Sequence, residues 1–348
     1  GNSHRTSISF RCLVLMRQLS HPALTLDEIR QTAGRIEGYL HHTPIFHWQD
    51  AWVRSQLGEG ELHLKLEFLQ QTGSFKPRGA LNNALTRPET ERNQGVTAVS
   101  AGNHAIAVAY AAKTLGISAK VLMHRKANPL RVAKCQHYGA EVLLVDDITQ
   151  AFTLLDEIAE KEDRTIIHPF DSAPTLQGTG TLGLEIGDAL KDLDTILVAV
   201  GGGGLIGGVA SALKQMQPAI EVIGVEPVGA AGLTQSLELG RPLEKVTVNT
   251  IADSMGAPLH CQMSFGVCQQ VIDRMVLVED DEMCQAMARV YDGLKFALEP
   301  AGAAVIAALT GPLQGTLKGK RVAAILCGSN IDESSWLELV LRGRNYNG

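Results

Sequence analysis

A chain of 348 residues carries 37 acidic against 31 basic side chains, a net charge of −6, and its lysines and arginines form no long cluster, so a nucleic-acid partner is not expected. The length allows a large core in one large or two moderate domains, and apolar stretches such as 105–112 and 303–309 fall well short of the roughly 20 residues of a spanning helix, so no membrane partner is expected. Six cysteines, at 12, 135, 261, 268, 284 and 327, show no C-x-x-C pair, no secreted-style spacing and no structural zinc pattern, which points to free thiols in a reducing, cytoplasmic compartment.

Along the chain, the polar Gly1–Ser9 does not reveal whether it is native, and the apolar run Cys12–Met16 is broken by Arg17 without a convincing cleavage site. The first chemically informative segment is Thr72-Gly73-Ser74-Phe75-Lys76-Pro77-Arg78-Gly79-Ala80, a hydroxyl- and glycine-rich turn running into an apolar helix. Lys76 is flanked by Phe75 and Pro77, where desolvation lowers an amine's pKa and frees it for Schiff-base chemistry with a carbonyl compound; taken alone, the segment reads first as a surface lysine beside a turn, and the rest of the chain reverses that order.

The strand-like Val96–Val99 then leads into Ser100-Ala101-Gly102-Asn103-His104-Ala105 and a helical stretch, a donor-rich turn suited to a carboxylate or phenolate, or simply a helix cap. From Gly95 strands near 96–99, 119–124, 141–146, 165–168, 195–200, 222–226 and 321–327 alternate with helices near 103–115, 128–138, 149–162, 173–190 and 205–216. Such alternation predicts an α/β fold of parallel, twisted sheets with helices on both faces. The apolar run Thr195–Val200 ends in Gly201-Gly202-Gly203-Gly204, where amides without Cβ neighbours can converge on a phosphate at a helix start. A fourth strand-to-turn element is Ala323-Ala324-Ile325-Leu326-Cys327-Gly328-Ser329-Asn330.

Taken in this order, the four turns resemble the serine/threonine dehydratase family of fold type II pyridoxal-phosphate enzymes, which includes serine racemase. The resemblance runs from Leu64-Lys65-Leu66-Glu67, through Gly178-Thr179-Gly180-Thr181-Leu182-Gly183-Leu184-Glu185 and Val225-Glu226-Pro227, to Leu298-Glu299-Pro300-Ala301-Gly302-Ala303-Ala304. It implies a two-lobed architecture like the tryptophan synthase β subunit, with a large cofactor-binding lobe from 1–90 and 168–348 and a small inserted lobe at 91–167. It implies that Lys76 carries pyridoxal 5'-phosphate and acts as base, with Ser100 beside it as the second catalytic residue. Phe75 is expected against the cofactor ring, Asn103 at its phenolic oxygen, Gly201, Gly202, Gly203 and Gly204 around its phosphate, and Cys327 beside its pyridine nitrogen. Ser100, Gly102, Asn103 and His104 are expected to meet the substrate. The implied reaction is a dehydratase or ammonia-lyase elimination converting a β-hydroxy-α-amino acid, L-threonine or L-serine first, to a 2-oxo acid and ammonia; 3-hydroxyaspartate or a bulky aromatic hydroxy amino acid is the alternative within the class. A homodimer is the expected assembly.

Several positions depart from the family pattern. Ala101 stands where serine racemase has a second serine, so racemisation by a hydroxyl on the opposite face of Cα is not expected. Glu226 matches the first cation ligand of metal-dependent relatives and Ala230 could lend a carbonyl, but Gly232 replaces an acidic ligand, so no metal is expected. Asp253-Ser254 replaces Asp-Gly in the loop facing the substrate, and only residues 331–348 follow Asn330, so a C-terminal regulatory domain is not expected. One decoy remains: Gly202–Gly207 satisfies G-x-G-x-x-G after a strand, with Glu226 ending the next, as in a nicotinamide-dependent dehydrogenase, although that reading leaves the turns of Lys76, Asn103 and Cys327 unexplained.

Overall fold

A computed structural model describes Ile8–Ser9 and residues 22–348; the rest of Gly1–Ser9 and the run Cys12–Met16 lie outside the described residues. Its strands are β1 (Ile8–Ser9), β2 (Ile45–Trp48), β3 (Glu61–Lys65), β4 (Val96–Val99), β5 (Ala119–His124), β6 (Glu141–Val145), β7 (Thr165–Ile166), β8 (Thr195–Ala199), β9 (Glu221–Pro227), β10 (Arg274–Val278) and β11 (Arg321–Ile325). They form two sheets, a seven-stranded one in the order β1-β10-β9-β8-β11-β3-β2 and a four-stranded one in the order β6-β5-β4-β7.

The inner strands read as they pack. Every residue of β8 is buried, as its unbroken apolar run requires when helices cover both faces. The four-stranded sheet is parallel throughout, and so are β10, β9, β8, β11 and β3. The expected parallel sheets are present, and the two edges of the larger one add antiparallel pairs, β1 with β10 and β2 with β3. An edge strand answers to one neighbour only, and mixed edges on parallel sheets are common for that reason.

Each sheet has its own apolar core, the larger around Leu64, Ile196, Leu197, Val225 and Ile325, the smaller around Ala98, Ile106, Val108 and Val121. The smaller core also takes Ile36, Ala80, Leu81 and Ala84 from the N-terminal flank, and the helix Pro77–Leu85 packs against the helix Asn103–Leu115 that follows β4. Helices Ala173–Ala189 and Gly204–Met216 lie side by side under the large sheet. Their contact is close: a Cβ on Gly208 would stand 2.0 Å from Thr179 Oγ1 and 2.4 Å from the Leu176 carbonyl, so glycine is required there. Helices Gln262–Val271, Asp280–Leu294, Pro300–Thr310 and Glu333–Arg344, with β10, complete the C-terminal half and were not part of the expected alternation. Among the described residues no helix is long and apolar enough to cross a membrane.

Candidate active site

The four turns singled out in the sequence meet between the sheets, each following the C-terminal end of a strand, where open α/β sheets place ligands. Phe75, Lys76, Asn103, Gly201–Gly204, Ser254, Met255, Glu299 and Cys327 line one narrow cavity there, about 40 Å³ in volume. A wider cleft, about 600 Å³ between Trp48, Trp52 and Arg289, holds none of these residues. The narrow cavity is the candidate site, because the reactive groups converge in it.

The lysine turn is fastened to the cysteine turn. Thr72 takes a positive φ of 75°, Ser74 bridges Gly328, and the Phe75 N–H donates to the Cys327 carbonyl at 3.2 Å. Lys76 then precedes a helix whose first residue, Pro77, has no N–H to leave unpaired. The Lys76 amine donates to the Pro169 carbonyl at 3.2 Å and lies 5.2 Å from the centre of the Phe75 ring. Although Lys76 keeps some solvent contact, its amine is surrounded by protein, and lost hydration lowers its pKa to about 8.

Behind the turn, a buried charge cluster holds the helix that Lys76 opens. Arg78 pairs with Glu67 at 2.7 Å and with Glu185, while Lys65 bridges Glu185 at 2.9 Å and the Thr43 carbonyl at 2.7 Å. The nearby carboxylates overcome desolvation and hold Arg78 charged.

Asn103 and Glu299 form the polar wall. The Asn103 amide donates to Glu299 at 3.0 Å and to Ser254 at 3.1 Å, and its oxygen accepts from Asn330 at 2.8 Å. Glu299, 1% exposed, also accepts from the Asn330 N–H at 2.8 Å and from Arg131 at 3.0 Å. Arg131 reaches this cluster from the helix Pro129–His137 and pairs with Asp253 at 2.9 Å. Arg131 and the central place of Glu299 escaped the sequence reading; the lone acid in the otherwise uncharged Leu298–Ala304 was the available signal for Glu299, and none marked Arg131.

Ser100 is half-buried, with its oxygen accepting from the Gly102 N–H at 2.9 Å. His104 is buried and donates Nε2–H to the Ile167 carbonyl at 2.7 Å; lost hydration, with Lys76 nearby, depresses its pKa to about 3, so the ring is neutral. Gly203 adopts φ of 94° at the start of the helix Gly204–Met216, and a Cβ on Gly202 would fall 2.0 Å from the Phe170 ring. Cys327 is buried, and desolvation lifts its thiol far above the ordinary range, which keeps it neutral.

Glu226 lies outside this cavity's lining. Its two oxygens accept from the N–H groups of Leu233 and Thr234, at 2.9 and 2.8 Å, and from the Thr234 hydroxyl at 2.6 Å, so it caps the helix Gly232–Leu239. Burial raises its pKa to about 7. A carboxylate committed to a helix start is poorly placed for a ribose, which removes the support for the dinucleotide reading.

The residues present fit pyridoxal phosphate: an amine with a lowered pKa, a glycine cradle at a helix start, and a neutral thiol share one cavity. A family profile described as "Pyridoxal-phosphate dependent enzyme" matches residues 36–328. The chain is 44% identical to phenylserine dehydratase of Ralstonia pickettii over 315 residues, 90% of this chain and 96% of that one. It is 36% identical to L-threonine ammonia-lyase of Thermotoga maritima over 321 residues, 92% of this chain and 79% of that one. Among solved structures, maize serine racemase superposes with a TM-score of 0.84 at 33% identity, covering 92% of this chain and 98% of its own.

Proposed function

The chain belongs to the pyridoxal-phosphate dependent enzymes, and we propose that it is a dehydratase that eliminates water from a β-hydroxy-α-amino acid and releases a 2-oxo acid and ammonia. The observation that carries this reading is Lys76, an amine of lowered pKa set between a glycine cradle and a buried thiol. When bound, pyridoxal phosphate supplies an electron-withdrawing ring that takes up charge developing at Cα.

In this reading Lys76 would hold the cofactor and, once released, take the Cα proton, which its lowered pKa suits. The N–H groups of Gly201–Gly204 would hold the phosphate, aided by the positive end of the helix they open. Asn103 would face the phenolic oxygen, Phe75 would pack against the ring, and Cys327 would stand by the pyridine nitrogen as a neutral partner. Ser100 and the Gly102 backbone would hold the substrate carboxylate, with His104 steadying that turn rather than offering a charge. The cavity is narrow, which would shield the reacting atoms from bulk water while the proton moves.

The same reading divides the chain into a large lobe, 1–90 with 168–348, and an inserted small lobe, 91–167, a division the two separate sheets support. It makes the enzyme a cytoplasmic homodimer, in keeping with five free cysteines among the described residues. The test is oxo-acid release by the purified holoenzyme across a panel of L-threonine, L-serine, 3-phenylserine and 3-hydroxyaspartate. Turnover of at least one is expected; failure with all four overturns the proposal.

A further inference from the structure

Away from the cavity, the outer edge of the large sheet carries a second set of chemically capable side chains. His47 on β2 and His63 on β3 are register partners, and their rings stack with centroids 4.3 Å apart. Glu61 lies two residues before His63 on β3, and alternation puts it on the same face. One ligand atom from each of the three residues lies within 4.8 Å of the other two. His63 is only 7% exposed, yet its Nε2 has no hydrogen-bond partner; Glu61 Oε1 stands 3.7 Å away, beyond hydrogen-bond reach.

A buried, orphaned imidazole nitrogen is costly unless something occupies it. Arg321, on the neighbouring β11, stands 3.5 Å from the other oxygen of Glu61, which leaves Oε1 facing His63. His47 and Glu61 border a cleft of about 260 Å³, which provides an entry path.

We propose that His47, Glu61 and His63 form a zinc site, two imidazoles and one carboxylate, with the fourth position left to water. Two imidazoles with a carboxylate suit Zn²⁺ far better than Mg²⁺ or Ca²⁺, which prefer all-oxygen shells. Tetrahedral zinc at about 2.0–2.2 Å from each ligand brings the three atoms up to about 1.5 Å closer together and requires the His47 ring to turn out of its stack on His63, adjustments the partly exposed His47 and Glu61 can make. The ion pins the antiparallel edge strand β2 to β3. It acts on stability rather than turnover, because the site lies toward the start of β3 whereas the lysine turn follows its end.

The holoenzyme, stripped with a chelator, is titrated with ZnCl₂ by calorimetry and melted with and without zinc. One Zn²⁺ per chain and a higher melting midpoint are expected, with turnover unchanged. Losing even a partner of a metal ligand typically costs about 10–100-fold in affinity, so His47→Gln and Glu61→Gln should each weaken binding at least that much and abolish the zinc-dependent shift. Glu61→Gln decides the matter by itself if His47→Gln fails to fold. A wild-type protein that takes up no zinc, or variants that bind and respond as the wild type does, would overturn the site.

Discussion

At the scale of single residues, the proposed chemistry turns on two groups moved from their usual ionisation by the same cause. Burial lowers the Lys76 pKa to about 8 and pushes the Cys327 thiol upward, because both charged forms lose water. For Lys76 the sign is direct: the protonated amine dominates below its pKa and cannot attack a carbonyl. Capture of pyridoxal phosphate by cofactor-free protein should therefore quicken about tenfold between about pH 6 and about pH 7 and level off above about pH 9, as followed by stopped-flow absorbance. Capture that is flat over this range, or that survives in Lys76→Ala, would remove Lys76 from the role. For Cys327 a neutral partner is the point: Cys327→Ser should leave kcat nearly intact, whereas Cys327→Asp should lower it at least about tenfold, equivalent to about 1.4 kcal/mol of barrier. Equal behaviour of the two variants would mean that the thiol only packs. Ala101 offers a methyl beside Ser100, so L-serine should give pyruvate with little D-serine, and Ala101→Ser should raise the D-isomer detected by chiral chromatography. D-serine forming as fast as pyruvate in the unmodified protein contradicts this.

Elements explain a motif that the sequence showed without its reason. The run Gly178–Glu185 was legible as a signature, but the structure makes it a packing surface: Thr179 donates to the Gly204 carbonyl at 2.7 Å, and Gly208 lies against it. That contact seats the helix whose first turn carries the glycine cradle. Gly208→Ala should thus cost about 1–3 kcal/mol of stability, since overpacking meets backbone on both sides. Gly266→Ala, in the helix Gln262–Val271 with nothing within 4 Å of its added carbon, should be neutral or stabilising by up to about 1 kcal/mol. Urea unfolding of both variants checks the pair; equal effects would show that the tight contact does not matter.

For the whole molecule, the decisive contacts are those joining the two sheets. Arg131 leaves the helix after β5 and ends among Glu299, Ser254, Asp253 and the Asn330 carbonyl, all from the other side of the cavity. Breaking a buried ion pair from one side costs about 3–5 kcal/mol, because the remaining charge is stranded. Arg131→Met should sit near the lower end, since Asn103 and the Asn330 N–H still serve Glu299. A double-mutant cycle with Glu299→Gln should return a coupling of about 0.5–3 kcal/mol by thermal or urea unfolding. Additive losses would mean that the two residues act separately.

How much was legible follows from how each feature is encoded. Local patterns determined the strand and helix order from β4 to β9, the four turns, the lysine and the glycine cradle, because periodicity, glycine content and a strand-to-helix turn are properties of contiguous residues. Only the folded chain decided that those turns share one cavity, that Glu299 and Arg131 form its polar wall, that Glu226 caps a helix, and that His47 faces His63. Each of these depends on contacts between residues far apart along the chain, or on the pairing of strands, and neither composition nor spacing records which distant groups burial will press together.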